Sequence, residues 1–287
     1  MKNENLAWGR TMFVFFVVVL GAVAAYVWLQ NRQFESAIDA LRREVVGNAA
    51  PALGPTALPD IVRDYAIRAG GLVGGPSHVH LQHRAMLTTD RARPPIRIEA
   101  DQWLASYQPN LVWRGRGSMF GVPVTVVDSF VNGSGLLEAR LAGVLPVAGG
   151  SGPAFDKGEL QRYLSELPVH PDAILNNAML SWRQVSDDVV EVSGPLNSGS
   201  ASVKFFFDGA GDIVGLEASD RPMTVGKATV PTIWRGSFSR YKQFGRYRLP
   251  SYGEVGWVLP EGLFTYWRGE VTTYEALPSA TDRSSVP

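Results

Sequence analysis

Between Arg10 and Arg32 the chain runs through residues 11–31 without a charged side chain. A helix rises about 1.5 Å per residue, so about 20 apolar residues cross a hydrocarbon core about 30 Å thick. Whatever folds downstream is therefore expected to be delivered to a membrane or held at one. Lys2 and Arg10 precede the stretch, and Arg32, Arg42 and Arg43 follow it. With the counts nearly even, orientation rests on the habit of short basic heads to stay inside, which places the following domain outside the cytoplasm. Ala22-Val23-Ala24 resembles a signal-peptidase site, and secretion after cleavage near Ala24 is the alternative. Tyr26 and Trp28 prolong the apolar run and suit an interfacial aromatic belt, which a cleaved peptide does not need. A retained single-pass anchor over residues 1–31, meeting the bilayer through 11–31, is the favoured reading.

Phe34, Ile38, Leu41 and Val45 fall next at helical spacing. Residues 32–58 are read as a juxtamembrane helix followed by an Ala- and Pro-rich linker. A helix is expected at 59–69, ended by Gly70 and Gly71. From Ser77 the period becomes two: His78, His80, Gln82 and Arg84 alternate with Val79, Leu81, His83 and Leu87. Strands are expected at 96–107, 111–118, 122–131 and 136–144, with Asn132-Gly133 as a hairpin turn. A helix follows, with Asp156 as its cap, Glu159 as capping-box partner, and Leu160, Tyr163, Leu164 and Leu167 as its apolar stripe. A short helix at 172–180 leads to strands at 181–185, 189–193, 201–207, 213–219, 232–241, 247–250, 252–259 and 264–274. The globular domain spans 59–276, and the polar end, 277–287, reads as a disordered tail. The fold class is mainly β (α+β): a curved antiparallel sheet or half-barrel with one or two packed helices, behind one N-terminal transmembrane helix.

Chemistry is harder to find. With 27 basic and 27 acidic residues and no basic block, a nucleic-acid partner is not indicated. The absence of cysteine excludes disulfides, thiol catalysis and thiolate metal sites. Nucleophile-elbow, phosphate-loop and zincin signatures are missing, so no catalytic residue, metal or cofactor is assigned. His78 and His80 share a strand face and supply two of the ligands a metal needs; as the polar face of a strand they need no such role. Asp128 interrupts the apolar row of Val124, Val126 and Phe130, so it calls for a partner among Arg116, Arg140 and Arg162. Trp103, Trp113, Trp182, Trp234, Trp257 and Trp267 either fill the core or line an apolar cavity. The expected ligand-binding set is Trp103, Trp113, Asp128, Arg162, Trp182, Trp234 and Trp257. Two functions stay open: a non-catalytic domain that binds a lipid, another apolar ligand or an envelope partner, and a hydrolase assembled from Asp128, Glu138, Glu159 and His80. Oligomeric state is not legible.

One resemblance is specific. The run from Gly158 through Glu159, Leu160, Gln161, Arg162, Tyr163, Leu164 and Ser165 to Glu166 resembles the signature helix of a domain-of-unknown-function family of uncharacterised, membrane-associated bacterial proteins. Trp234-Arg235-Gly236, then Tyr241, Gly245, Arg248, Pro250, Glu254, Trp257 and Tyr266, continue the likeness. Gln82-His83-Arg84-Ala85-Met86, Trp103 and Trp113 extend it over about residues 55–275. The family pattern has a glutamate after Gln-x-Gly, where this chain has Ala85, with His83 in place of the glycine. The resemblance implies no reaction, cofactor or catalytic residue. It implies a fold loosely similar to the lipoprotein-carrier half-barrels, a curved antiparallel sheet around a helix.

Overall fold

In the computed structural model, residues 2–47, 57–226 and 228–278 are described. The uncharged stretch and the juxtamembrane segment form one unbroken helix, α1 (Lys2–Gly47). No proline interrupts residues 2–47 and Gly21 alone does not stop a helix, so nothing breaks it at residue 31. None of its most apolar stretch is buried, whereas Phe34, Ile38 and Val45 are. The expected linker at 48–56 and the tail from 279 onward lie outside the described residues.

After α2 (Asp60–Arg68), six strands follow as a meander: β1 (His78–Leu87), β2 (Ile96–Ala105), β3 (Leu111–Met119), β4 (Val122–Val131), β5 (Ser134–Leu141) and β6 (Leu145–Ser151). The chain then crosses through α3 (Pro153–Ser165), a short 3-10 turn (Leu167–Val169) and α4 (Pro171–Asn176). Seven strands complete it: β7 (Ser181–Gln184), β8 (Val189–Leu196), β9 (Gly199–Phe207), β10 (Ile213–Val225), β11 (Ala228–Phe244), β12 (Tyr247–Leu259) and β13 (Gly262–Leu277). β13 pairs with β1, giving one antiparallel sheet in the order 6-5-4-3-2-1-13-12-11-10-9-8-7. α3 touches β4, β5 and β6 on one wing and β8, β9 and β10 on the other, so the sheet is curled around it as a half-barrel. Bulges at Gln82/His83 and Val255/Gly256 lie in the middle strands, where extra twist helps the sheet to bend.

Both faces of β2, β3 and β4 are covered. Leu104, Leu111 and Phe130 face inward with Leu160, Leu164 and Trp234, while Trp103, Val112 and Val127 face outward against Phe34, Ile38 and Val45 of α1. The alternation of strand side chains sends neighbours to opposite layers.

Several local expectations need correction. β6 was not expected, because Pro146 and the pair Gly149-Gly150 spoil its pattern; an edge strand tolerates both. Residues 247–250 and 252–259 are one strand, β12, with Ser251 buried inside it and donating to the Arg240 carbonyl at 2.7 Å. The helix expected at 172–180 ends at Asn176, and the Asn177 side chain takes up the Met179 N–H at 3.0 Å. Finally, Asp156 and Glu159 form no capping box. Gly152 caps α3 with Pro153 in its first turn, Asp156 accepts the Gly135 N–H at 2.7 Å, and Glu159 turns inward.

Candidate functional site

Between α3 and the concave sheet lies a cavity of about 510 Å³, lined mainly from β4, α3 and β10 to β13. That volume falls within the range of small-ligand sites. Trp113, Leu216, Trp234, Phe238, Trp257 and Trp267 form much of its wall. Two glycines let the indoles lie back on the sheet: a Cβ on Gly115 would strike the Trp113 ring, and one on Gly269 the Trp267 ring.

Against this apolar wall stands a buried charged cluster. Glu159, Arg162 and Glu166, the last being the C-cap, recur at i, i+3 and i+7 and so project from one side of α3 and its end. The Arg162 Nε donates to Glu166 Oε1 at 2.9 Å and its Nη1 to Asp128 Oδ2 at 3.4 Å. Arg221, on β10, donates to the Gly158 carbonyl and lies 3.8 Å from Glu159 Oε1. Each guanidinium also covers an indole, Arg162 over Trp113 at 5.6 Å and Arg221 over Trp234 at 4.4 Å.

Burial dominates the protonation states. It pushes Glu159 up to about 8, helped by the nearby Asp128 charge and opposed by Arg221 and Arg162. It also raises Asp128, against the pull of Arg162 and Arg221. Desolvation alone would lower Arg162, but Glu166, Asp128 and Glu159 together raise it. His83, on the concave face of β1, is pushed down to about 4 by burial and is neutral at pH 7. Five buried polar atoms around the cavity make no hydrogen bond to the described residues: Asp128 Oδ1, Glu159 Oε2, His83 Nδ1, Trp113 Nε1 and Trp267 Nε1. Buried polar atoms are ordinarily paired, so this concentration marks a place suited to a partner from outside the chain.

These shifts carry a signed consequence. Between its ordinary value of 4.5 and about 8, Glu159 holds a proton when folded and releases it on unfolding, so stability falls as pH rises. His83 works the other way but only below its ordinary 6.5, where the unfolded chain takes up a proton that the folded chain does not. From pH 6.5 to 8 the carboxylate acts unopposed by histidine. Thermal unfolding should show a midpoint that falls as pH rises across this window, and Glu159→Gln should flatten the fall.

The structure brings Trp113, Asp128, Arg162, Trp234 and Trp257 together around the cavity. It separates the other two tryptophans of the expected set. Trp103 lies on the outer face, stacked on His80 at 4.9 Å and buried against α1, and Trp182 stacks on Phe205 at 6.5 Å near the sheet edge. Of the three arginines considered for Asp128, Arg162 meets it; Arg116 reaches Asp101 and Glu35, and Arg140 pairs with Glu138 at 2.6 Å on the outer face. Asp128 and Glu159 share the cavity, whereas Glu138 and His80 do not. His80 contacts Asp101 at 3.1 Å, and the His78 Nδ1 lies 3.0 Å from the Ser77 hydroxyl. No group of three or more His, Asp or Glu among the described residues could hold a metal ion. Sequence reasoning missed His83, Glu166, Arg221 and the cavity role of Glu159. The alternation of β1 already places His83 among apolar neighbours, but no local signal points to Arg221.

A protein-family model, "Family of unknown function (DUF6544)", matches residues 53–269. No curated protein matches the chain. Among solved structures, a putative outer membrane lipoprotein-sorting protein domain from Vibrio parahaemolyticus is similar at 10% identity and a TM-score of 0.43, over 75% of this chain and 90% of that one. A LolA superfamily protein from Nitrosomonas europaea is similar at 10% identity and 0.39, over 79% and 96%. A DUF1329 family protein from Desulfovibrio piger ATCC 29098 is similar at 10% and 0.41, over 75% and 91%. The lipoprotein-carrier half-barrels named from sequence thus reappear, at a likeness too low to support anything further.

Proposed function

We propose that this chain, which belongs to the DUF6544 family of unknown function, is a non-catalytic binding protein held in a membrane by α1, with its half-barrel outside the cytoplasm. Its ligand is an amphiphile, with an apolar body against the indoles and a neutral hydrogen-bonding head against Asp128 and Glu159. The observation that carries this reading is the cavity of about 510 Å³, whose apolar walls surround five unpaired polar atoms. Charge selects the head. Arg162 and Arg221 face Asp128 and Glu166, and Glu159 stays largely protonated at neutral pH, so the site has no spare charge to meet an ionic group. A hydroxyl or amide can instead satisfy the free oxygens and the indole N–H groups.

Gly158 supports the same reading. It sits inside α3, where glycine is less favourable than alanine by about 1 kcal/mol. A Cβ there would meet nothing within 4 Å, so no packing within the chain demands the glycine. What it keeps open is the cavity.

A diazirine-bearing fatty alcohol, photolysed in membranes holding the full chain, tests the assignment. Label on peptides that contain Trp113, Trp234 and Trp257 is expected. Label confined to residues 12–31 would count against an internal site. The pairing of Asp128 with a protonated Glu159 also favours, as a second reading, a hydrolase with a carboxylate acid and base. That reading requires turnover of an ester or glycoside that disappears in Glu159→Gln.

A further inference from the structure

We infer that one rim of the half-barrel rests in the surface of the membrane that α1 crosses, and that the cavity opens through this rim to the lipid. The inference rests on reading α1 as an anchor. Because neighbouring strands are antiparallel, the hairpin turns β1–β2, β3–β4, β5–β6, β8–β9, β10–β11 and β12–β13 all leave the sheet at the same edge; the β8–β9 turn, Asn197-Ser198, curls away against Gly133, and the other five form the rim. α1 arrives at that edge. The Asn31 side chain abuts Gly143 in the β5–β6 turn, and Phe34 lies under Arg140, 4.4 Å away. Farther along, Arg42 covers Trp103, two residues from the opposite end of β2. The helix therefore descends the outer face from this rim, and its exposed apolar stretch, continuous with the packed part, projects beyond it. Trp28, under the Arg32 guanidinium at 4.8 Å, marks the junction.

The rim mixes exposed apolar side chains with the charges of Asp90, Arg91 and Arg93 in the β1–β2 turn and Glu261 in the β12–β13 turn. Phe120 is 84% exposed and Leu145 59%, and Val122, Val225, Val230 and Leu263 are exposed beside them. The turns at the opposite edge carry Asn132-Gly133, Asp208 and Gly245-Arg246. A matched pair of turns makes the contrast sharp. Asn132-Gly133 has φ of 52° and 82°, the left-handed conformation that asparagine and glycine adopt readily. Phe120-Gly121 repeats it at 53° and 80° with a bulky aromatic in the strained position. The chain thus keeps an exposed phenylalanine where asparagine would be easier, and no buried contact repays it. A bilayer would. The cavity reaches the same rim, since Leu87, Thr88, Thr224, Thr229 and Phe264 line it. An amphiphile can then pass between bilayer and half-barrel without crossing water.

The chain lacks cysteine, so single-cysteine variants give clean labels. Leu145→Cys and Leu263→Cys at the rim, and Ala210→Cys at the opposite edge, are labelled with an environment-sensitive nitrobenzoxadiazole dye in the full chain. The protein is reconstituted in phosphatidylethanolamine and phosphatidylglycerol vesicles carrying doxyl-labelled lipid in both leaflets. Quenching several-fold stronger at positions 145 and 263 than at 210 is expected. Equal quenching at all three, in chains that alkaline carbonate does not extract, would overturn the rim contact and leave the anchor standing. Extraction by carbonate would overturn the anchor, and the rim contact with it.

Discussion

Gly158→Leu is expected to raise the unfolding midpoint while reducing amphiphile binding about tenfold or more, a loss of at least about 1.4 kcal/mol. The two effects have one cause. Glycine inside α3 costs helix stability, and leucine restores it, by about 1 kcal/mol. For a domain of this size that corresponds to a rise of about 2–4 °C. The new side chain grows into open space, because a Cβ at this position meets no atom within 4 Å. It therefore occupies volume that the ligand would otherwise take, next to Glu159 and Arg162. Scanning calorimetry and the yield of diazirine cross-linking, on the same preparations, read the two effects separately. A variant that binds less because it is less folded would lower both readings.

Arg162→Met should have the largest effect on stability of any single change in the site. Arg162 is the hub of the cluster: it holds Asp128 and Glu166 and covers Trp113, with Asp128 and Trp113 buried and the Arg162 and Glu166 side chains 15% and 17% exposed. Methionine keeps much of the volume but leaves a buried carboxylate without its cation. Breaking a buried ion pair from one side costs about 3–5 kcal/mol, which for this domain amounts to a fall in midpoint of the order of 10 °C. The double variant Asp128→Asn with Arg162→Met should recover part of the loss, since it leaves no orphan charge at that position. A double-mutant cycle over the two residues measures the recovery as a coupling energy. Strict additivity would mean that the pair is not the interaction that holds them.

The sheet was legible wherever one face is buried and the other is wet, as in β1 and β9, because period-two alternation is then visible. The strands β2, β3 and β4 were legible nearly to the residue, but not which of their faces is concave, because α1 covers the outer face. There Trp103 and Val112 are as buried as their neighbours, and no pattern in the sequence tells concave from convex. That is why Trp103 stood with the ligand-binding tryptophans although it packs under α1. Asp128 was visible as a carboxylate in an apolar row. Its partner, Arg162, could be narrowed to three but not chosen, since pairing depends on which face each strand presents. Arg221 was invisible: the expected strand stopped at residue 219, while β10 continues to Val225. Glu159 was misassigned because its spacing from Asp156 imitates a capping box. Burial and the approach of Arg221, both tertiary effects, decide its role.

Whether the half-barrel holds a neutral amphiphile is read by native mass spectrometry of the full chain released from its membrane, wild type beside Gly158→Leu. The expected spectrum of the wild type carries one additional neutral amphiphile per chain, which gas-phase activation removes, and the variant carries none. Wild-type and Gly158→Leu chains that both fly without a bound amphiphile, or that retain the same one equally, would contradict the claim.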